Sequence, residues 1–215
     1  MSPNSSTLQI PSAVLLFVLL ASGSLLAGYK PRPWKLRAIQ DYPAKLTSEG
    51  ITVAVDPLFL DTLAGQVFDK DDIVTRGIMP LGVIIFNDNA FPIRLECNTI
   101  EVIQGDEHIR GIPPSDAVRQ LFKGSRNILV PSMPKQALNP DALADFEFKS
   151  LEGKEIGAHS MGGGFLYLRV SPRDLRSDLS RSRVYIPDIY RLDSGSKLIF
   201  FEIELRPAIE SVAPK

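Results

Sequence analysis

The stretch 79-MPLGVIIFNDNAFPIRLEC-97 decides how the rest of the chain is read. Leu81, Val83 and Ile85 fall on one side of an extended backbone and Ile84 and Phe86 on the other. Apolar side chains on both faces predict a central strand covered above and below. "NDNA" supplies turn residues, after which Phe91, Ile93, Leu95 and Cys97 point inward while Arg94 and Glu96 point out. This alternation predicts a hairpin between the two runs. Beyond Cys97 the inward set becomes Ile100 and Val102. Since side chains alternate with a period of two, that change of parity predicts a bulge or break near Asn98 and Thr99.

Working outward, "ITVAVD" places Ile51, Val53 and Val55 on one strand face. Pro57, with Leu60, Leu63, Ala64 and Val67 at helical spacing, predicts a short helix. Downstream, Ser115 as N-cap with Val118, Leu121 and Phe122 predicts a second helix. Asn139 as N-cap, Pro140 in the first turn and Gly153 as a stop predict a third, burying Leu143, Phe146 and Leu151. The proline-punctuated residues 126–140 between them read as a loop. Three strand-like runs follow: "GGFLYLRV", "RVYIPDIYRL" with Pro187 at an edge, and "KLIFFEIEL" burying Ile199, Phe201, Ile203 and Leu205. The expected fold is mainly β, an antiparallel immunoglobulin-like β-sandwich with inserted short helices, preceded by an N-terminal hydrophobic helix.

The 215 residues suffice for one domain and a targeting segment. A formal charge of −1 gives no electrostatic reason to expect a nucleic-acid partner. The single cysteine, Cys97, excludes an internal disulfide, and no Cys or His spacing suits a metal. From Met1 to Tyr29 no side chain is charged, and residues 12–28 are almost wholly apolar or small. That length lies between a signal-peptide core, about 7–15 residues, and a bilayer span of roughly 20. Residues 1–29 are therefore read as a signal peptide or signal anchor, 30–48 as a proline-stiffened tether, 49–207 as the sandwich and 208–215 as a tail. Lys30, Arg32, Lys35 and Arg37 follow the apolar run. By themselves they would favour a cytoplasmic domain, whereas the small residues near Gly28 favour export. Trp34 suits either a membrane interface or packing on the domain.

The densest polar cluster is acidic: Asp56 and Asp61, then Asp69, Asp71 and Asp72 around Lys70. It lacks the turn glycine and bidentate Glu of a calcium loop, and reads as a solvated turn. With His108 it could alternatively serve an envelope hydrolase or carbohydrate-active enzyme. His108 and His159 read as exposed or locally bonded. The glycines of "SMGGGF" run into a strand and lack a Gly-Lys-Ser/Thr ending, so they read as a turn that lets another backbone approach. Arg173, Arg176, Arg181 and Arg183 alternate with Asp174 and Asp178, as in a self-paired loop. Cys97 reads as a small core residue.

The order of "VFDKDDIVTRGIMPLGVIIFNDNAFPIRLE", "DEHIRGIPPSDAVRQLF", "DALADFEFKSL" and "GGGFLYLRV" resembles that of a family of uncharacterised bacterial envelope lipoproteins. The likeness covers residues 51–205 and implies an immunoglobulin-like domain behind a lipid anchor. Tyr29 stands after Leu-Ala-Gly where the pattern would place a lipidated cysteine, so the lipobox is degenerate. No catalytic motif accompanies the resemblance. The expectation is a membrane-tethered, extracytoplasmic, non-enzymatic binding or structural module. Its partners would be the membrane, through the N-terminal helix, and an envelope protein or glycan. No catalytic residue, cofactor or metal ligand is assigned.

Overall fold

The computed structural model describes residues 28–123 and 138–212. The expected N-terminal helix and most of the expected loop at 126–140 lie outside those residues. The protein is mainly antiparallel β with short helices. Its strands are β1 (Ala44–Ser48), β2 (Ile51–Pro57), β3 (Ile78–Asn87), β4 (Ile93–Leu95), β5 (Glu101–Gln104) and β6 (Glu107–Ile112). They continue with β7 (Glu155–Ile156), β8 (Ser160–Arg169), β9 (Arg183–Ile186), β10 (Ile189–Arg191) and β11 (Phe201–Glu204). Eight form one sheet in the order β1-β2-β3-β8-β6-β5-β9-β11, and β10-β4-β7 form a small second sheet. The edge strands β1 and β11 lie against each other, so the large sheet is nearly closed. The expected two facing sheets give way to one continuous ladder curled on its own core, because β6 pairs with both β5 and β8.

The central strand behaves as its sequence predicts. β3 pairs with β2 and β8, and all but one of its residues are buried. Its odd-numbered side chains enter the main core, whereas Ile84 belongs to a second cluster with Tyr42 and Ala54. The cover on that outer side comes from residues 29–42, here called the strap. Leu36 and Ile39 pack on Ala54 and Ile84, and Trp34 lies 4.3 Å, ring centre to ring centre, from Phe165. The proline-stiffened stretch read as a tether runs along the domain, and its continuation to Ser48 forms β1. The physical cause is the apolar outer face of β2 and β3, which would otherwise meet water.

The expected β3–β4 hairpin does not form. Asn87 is fully buried, and its amide donates to the Phe91 and Gly157 carbonyls at 2.7 and 2.9 Å. Those bonds turn the chain out of the large sheet, and β4 pairs with β10 and β7 instead. The expected parity break does occur, as a 3-10 turn over Cys97–Thr99. Pro187 separates β9 from β10, which belong to different sheets.

The helices are α1 (Asp61–Val67), α2 (Pro114–Leu121), α3 (Pro140–Lys149), α4 (Leu175–Leu179) and α5 (Arg206–Glu210). Pro57 ends β2, opposite Leu81, and does not open α1. Ser115 lies in the first turn of α2, whose N-cap is Pro113. Asn139 caps α3 by accepting from the Ala142 amide at 3.0 Å, and Pro140 occupies the first turn. The inward face of α3 is Ala142, Asp145, Phe146 and Lys149, with Leu143 only half-buried. α4 lies within the arginine-rich segment, and α5 crosses the expected domain end at 207.

Gly163 and Gly164 account for the triple-glycine run. A Cβ on Gly164 would lie 2.5 Å from the Leu151 backbone, and one on Gly163 would strike the Val83 carbonyl. The bare Gly163 lets β8 lie close against β3, and the bare Gly164 lets the 150–151 segment join β8, where the Leu151 amide donates to the Phe165 carbonyl at 3.0 Å.

Candidate functional site: a cleft beside a buried Tyr-Asp-Lys cluster

Helical geometry brings residues four apart onto one face, so Asp145 and Lys149 flank Phe146 on the buried side of α3. Both are nearly sealed from solvent, at 5% and 4% exposure. Phe146 packs between Phe68 and Tyr167, which fixes the helix against the core. An isolated buried carboxylate or ammonium would be costly, so each needs its partners. Lys149 Nζ donates to the Asp145 carboxylate at 2.6 Å and to the Val67 carbonyl at 2.8 Å. It also lies 4.9 Å from the centre of the Phe68 ring. The remaining donor to the Asp145 carboxylate comes from the strap: Tyr29 Oη, at 2.6 Å.

Burial is the main force on both titratable partners. It raises Tyr29 far beyond the usual tyrosine range, reinforced by its hydrogen bond to the Asp145 carboxylate. It lowers Lys149 below the usual lysine range, with Asp145 acting in the opposite sense. Tyr29 is therefore held as a proton donor and is unsuited to act as a base. The cluster is a clamp between the strap and α3.

The strap is fastened a second time at Asp69. Its carboxylate accepts from the Lys30 amide and from Arg32, each at 2.8 Å, and Arg32 also donates to the Gly65 carbonyl. The Lys30 amide is the largest influence holding the Asp69 carboxyl below the usual range. Asp72 is engaged separately by Lys70 and Arg76, and Asp71 lies beside Gly65. The three carboxylates thus have different partners. His108 lies on exposed β6, with Nδ1 2.6 Å from Glu101, which also pairs with Arg110. His159 is exposed and 3.5 Å from Asp88. Among the described residues no group of three or more His, Cys, Asp or Glu side chains could hold a metal.

In the arginine-rich segment, Arg181 pairs with Asp178 and Arg183 with Glu202. Arg176 donates to the Ile209 and Val212 carbonyls at the end of α5 and lies over Phe59. Cys97 is half-buried and donates to the Leu151 carbonyl at 3.4 Å. Burial, with Glu152 and Glu96 nearby, pushes its thiol up to about 12, which makes it a poor nucleophile.

Between the strap and α3 lies an open cleft of about 330 Å³. Pro31, Pro33, Trp34 and Phe148 supply apolar walls, while Arg32, Lys149 and Lys154 bring cationic groups and Asp145 the carboxylate. Phe148 stands 79% exposed at the cleft, and Lys154 donates to its carbonyl at 3.0 Å. A second cleft of about 400 Å³ lies between β6 and the 94–98 segment, with Arg94, Glu96, Asn98 and Glu152 among its described lining residues beside Cys97. Comparison of the chain with family models, curated proteins and solved structures gives no match.

Read from sequence, Asp145 and Lys149 have no site role, and Tyr29 is marked only as the residue in place of a lipidated cysteine. The available signal was the four-residue spacing of an acid and a base around Phe146, on the face that Ala142 begins. Tyr29 carried no local signal, since its partner is 116 positions away.

Proposed function

We propose that the chain is a membrane-tethered module of the bacterial cell envelope, with its domain outside the cytoplasm, which works by binding. Residues 12–28 form the anchor, in keeping with the lipoprotein-like order of segments and with a lipobox that has lost its cysteine. The observation carrying this reading is that Tyr29, the residue after the apolar run, is already a clamped core residue. With residues 12–28 as the anchor, the clamped part of the domain begins at the very next residue, which would seat the domain at the membrane surface. Two of the four flanking cations also have partners within the domain: Arg32 pairs with Asp69 and Arg37 with Asp56. Their placement thereby has a structural reason, which weakens them as a signal for a cytoplasmic domain.

Alkaline phosphatase fused to the C-terminus, combined with membrane fractionation, tests the reading. Active enzyme in a membrane fraction resistant to carbonate washing is expected. An inactive fusion, or protein released by carbonate, contradicts it.

A further inference from the structure

The cleft between the strap and α3 combines three properties that point to one ligand chemistry. Its walls at Pro31, Pro33, Trp34 and Phe148 are apolar or aromatic. Among the described residues its charged lining is biased to the cationic side, and the carboxylate there, Asp145, is already occupied by Tyr29 and Lys149. Its volume of about 330 Å³ suits a small amphiphile and not a folded partner.

Position selects the source. Gly28, the end of the apolar run, is three residues from Pro31, a reach of at most ~11 Å along an extended chain. With residues 12–28 in a bilayer, the cleft opens at headgroup level. An aromatic side chain as exposed as Phe148 costs little there, because rings with basic neighbours are favoured at the interface. Lys154 commits one donor to the Phe148 carbonyl, and an ammonium has three. The ammonium also lies 5.5 Å from the centre of the Phe148 ring, and among the described residues its other protons have no acceptor and can turn to an anion, whereas Arg32 is engaged by Asp69 and Gly65 and contributes mainly its charge.

We infer that this cleft holds the headgroup and upper acyl chain of an anionic glycerophospholipid, with Lys154 on the phosphate and Trp34 and Phe148 along the chain. The inference rests on the proposed seating of the domain at a membrane, but its test can be made without one. Trp34 is the sole tryptophan and lines the cleft, so it is a built-in reporter.

The full chain in a neutral detergent is titrated with dihexanoyl phosphatidylglycerol, dihexanoyl phosphatidylcholine or inorganic phosphate while Trp34 emission is followed. A saturable shift with phosphatidylglycerol alone is expected. Lys154→Gln should weaken it about fivefold, the value of one cation near an anionic lipid. Phe148→Ser, at an exposed position where folding is not at stake, should weaken it at least as much. The inference is overturned if phosphatidylcholine acts equally, if phosphate alone reproduces the shift, if no titrant saturates, or if both variants bind like the parent. Because no bilayer is used, these outcomes are separate from the fractionation result.

Discussion

The acidic turn at 69–72 and the inward face of α3 are opposite ways of placing charge. The turn concentrates Asp69, Asp71 and Asp72 where water reaches them, and Asp72 settles with nearby Lys70 and Arg76. α3 buries one acid and one base four residues apart and completes their bonding with Tyr29, from the far end of the chain. Charge density therefore marks solvent, while the sparse pair organises the molecule. Asp69 belongs to both patterns, being a turn residue whose carboxylate holds the strap.

Substitutions should separate the two regions by size of effect. Lys149→Ala leaves Asp145 buried with a lost counter-ion, and should cost about 3–5 kcal/mol in denaturant unfolding. A loss below 1 kcal/mol would place α3 in the same class as the turn.

Tyr29→Phe removes the hydrogen bond donated to the Asp145 carboxylate and the longer one accepted from the Asp69 amide at 3.4 Å, and should cost about 1.5–3 kcal/mol, most of it from the first. This loss has a pH signature. A tyrosine whose folded pKa is raised contributes stability that is complete below its unfolded value, ~10, and lost as pH climbs toward the folded value. The gap between parent and Tyr29→Phe should therefore narrow above pH ~10. Buried Tyr167, shifted in the same direction, acts in both proteins, and the part of its shift that comes from burial and Asp145 cancels from the difference, leaving only the part due to Tyr29 itself. Lys149 works the other way, since its lowered pKa adds stability as pH rises toward the ordinary lysine range. Comparison of the two chains removes that contribution as well, to the extent that Tyr29→Phe leaves Lys149 in place.

At the small end, Asp72→Asn breaks two partly exposed ion pairs and should change unfolding by less than about 1 kcal/mol. A larger loss would mean that the turn also organises the fold.

The same contrast explains what was legible in the sequence. Period-two alternation exposed β2, β3, β8 and β11, and the Asn139-Pro140 signature located the start of α3. These are local patterns. Pairing was less legible: β3 and β4 look like a hairpin until buried Asn87 is seen capturing the Phe91 and Gly157 carbonyls. β1 was hidden because only Ala44 of its five residues is buried. The clamp was hidden for a different reason. Hydropathy treats Asp145 and Lys149 as surface residues, and nothing near Tyr29 announces a partner in α3. The apolar outer face of β3 did imply a cover, and the strap supplies it.

The chain after Gly28 enters the fold at once, through Tyr29 on Asp145. A double-mutant cycle combining Tyr29→Phe with Asp145→Asn, read by denaturant unfolding of the full chain, tests it most directly. A coupling of about 1–3 kcal/mol is expected, because both substitutions act on the same bond, one removing its donor and the other the charge of its acceptor. If Tyr29→Phe costs nothing and the two changes add to within ~0.5 kcal/mol, residues 29–34 are a free tether and the account is wrong.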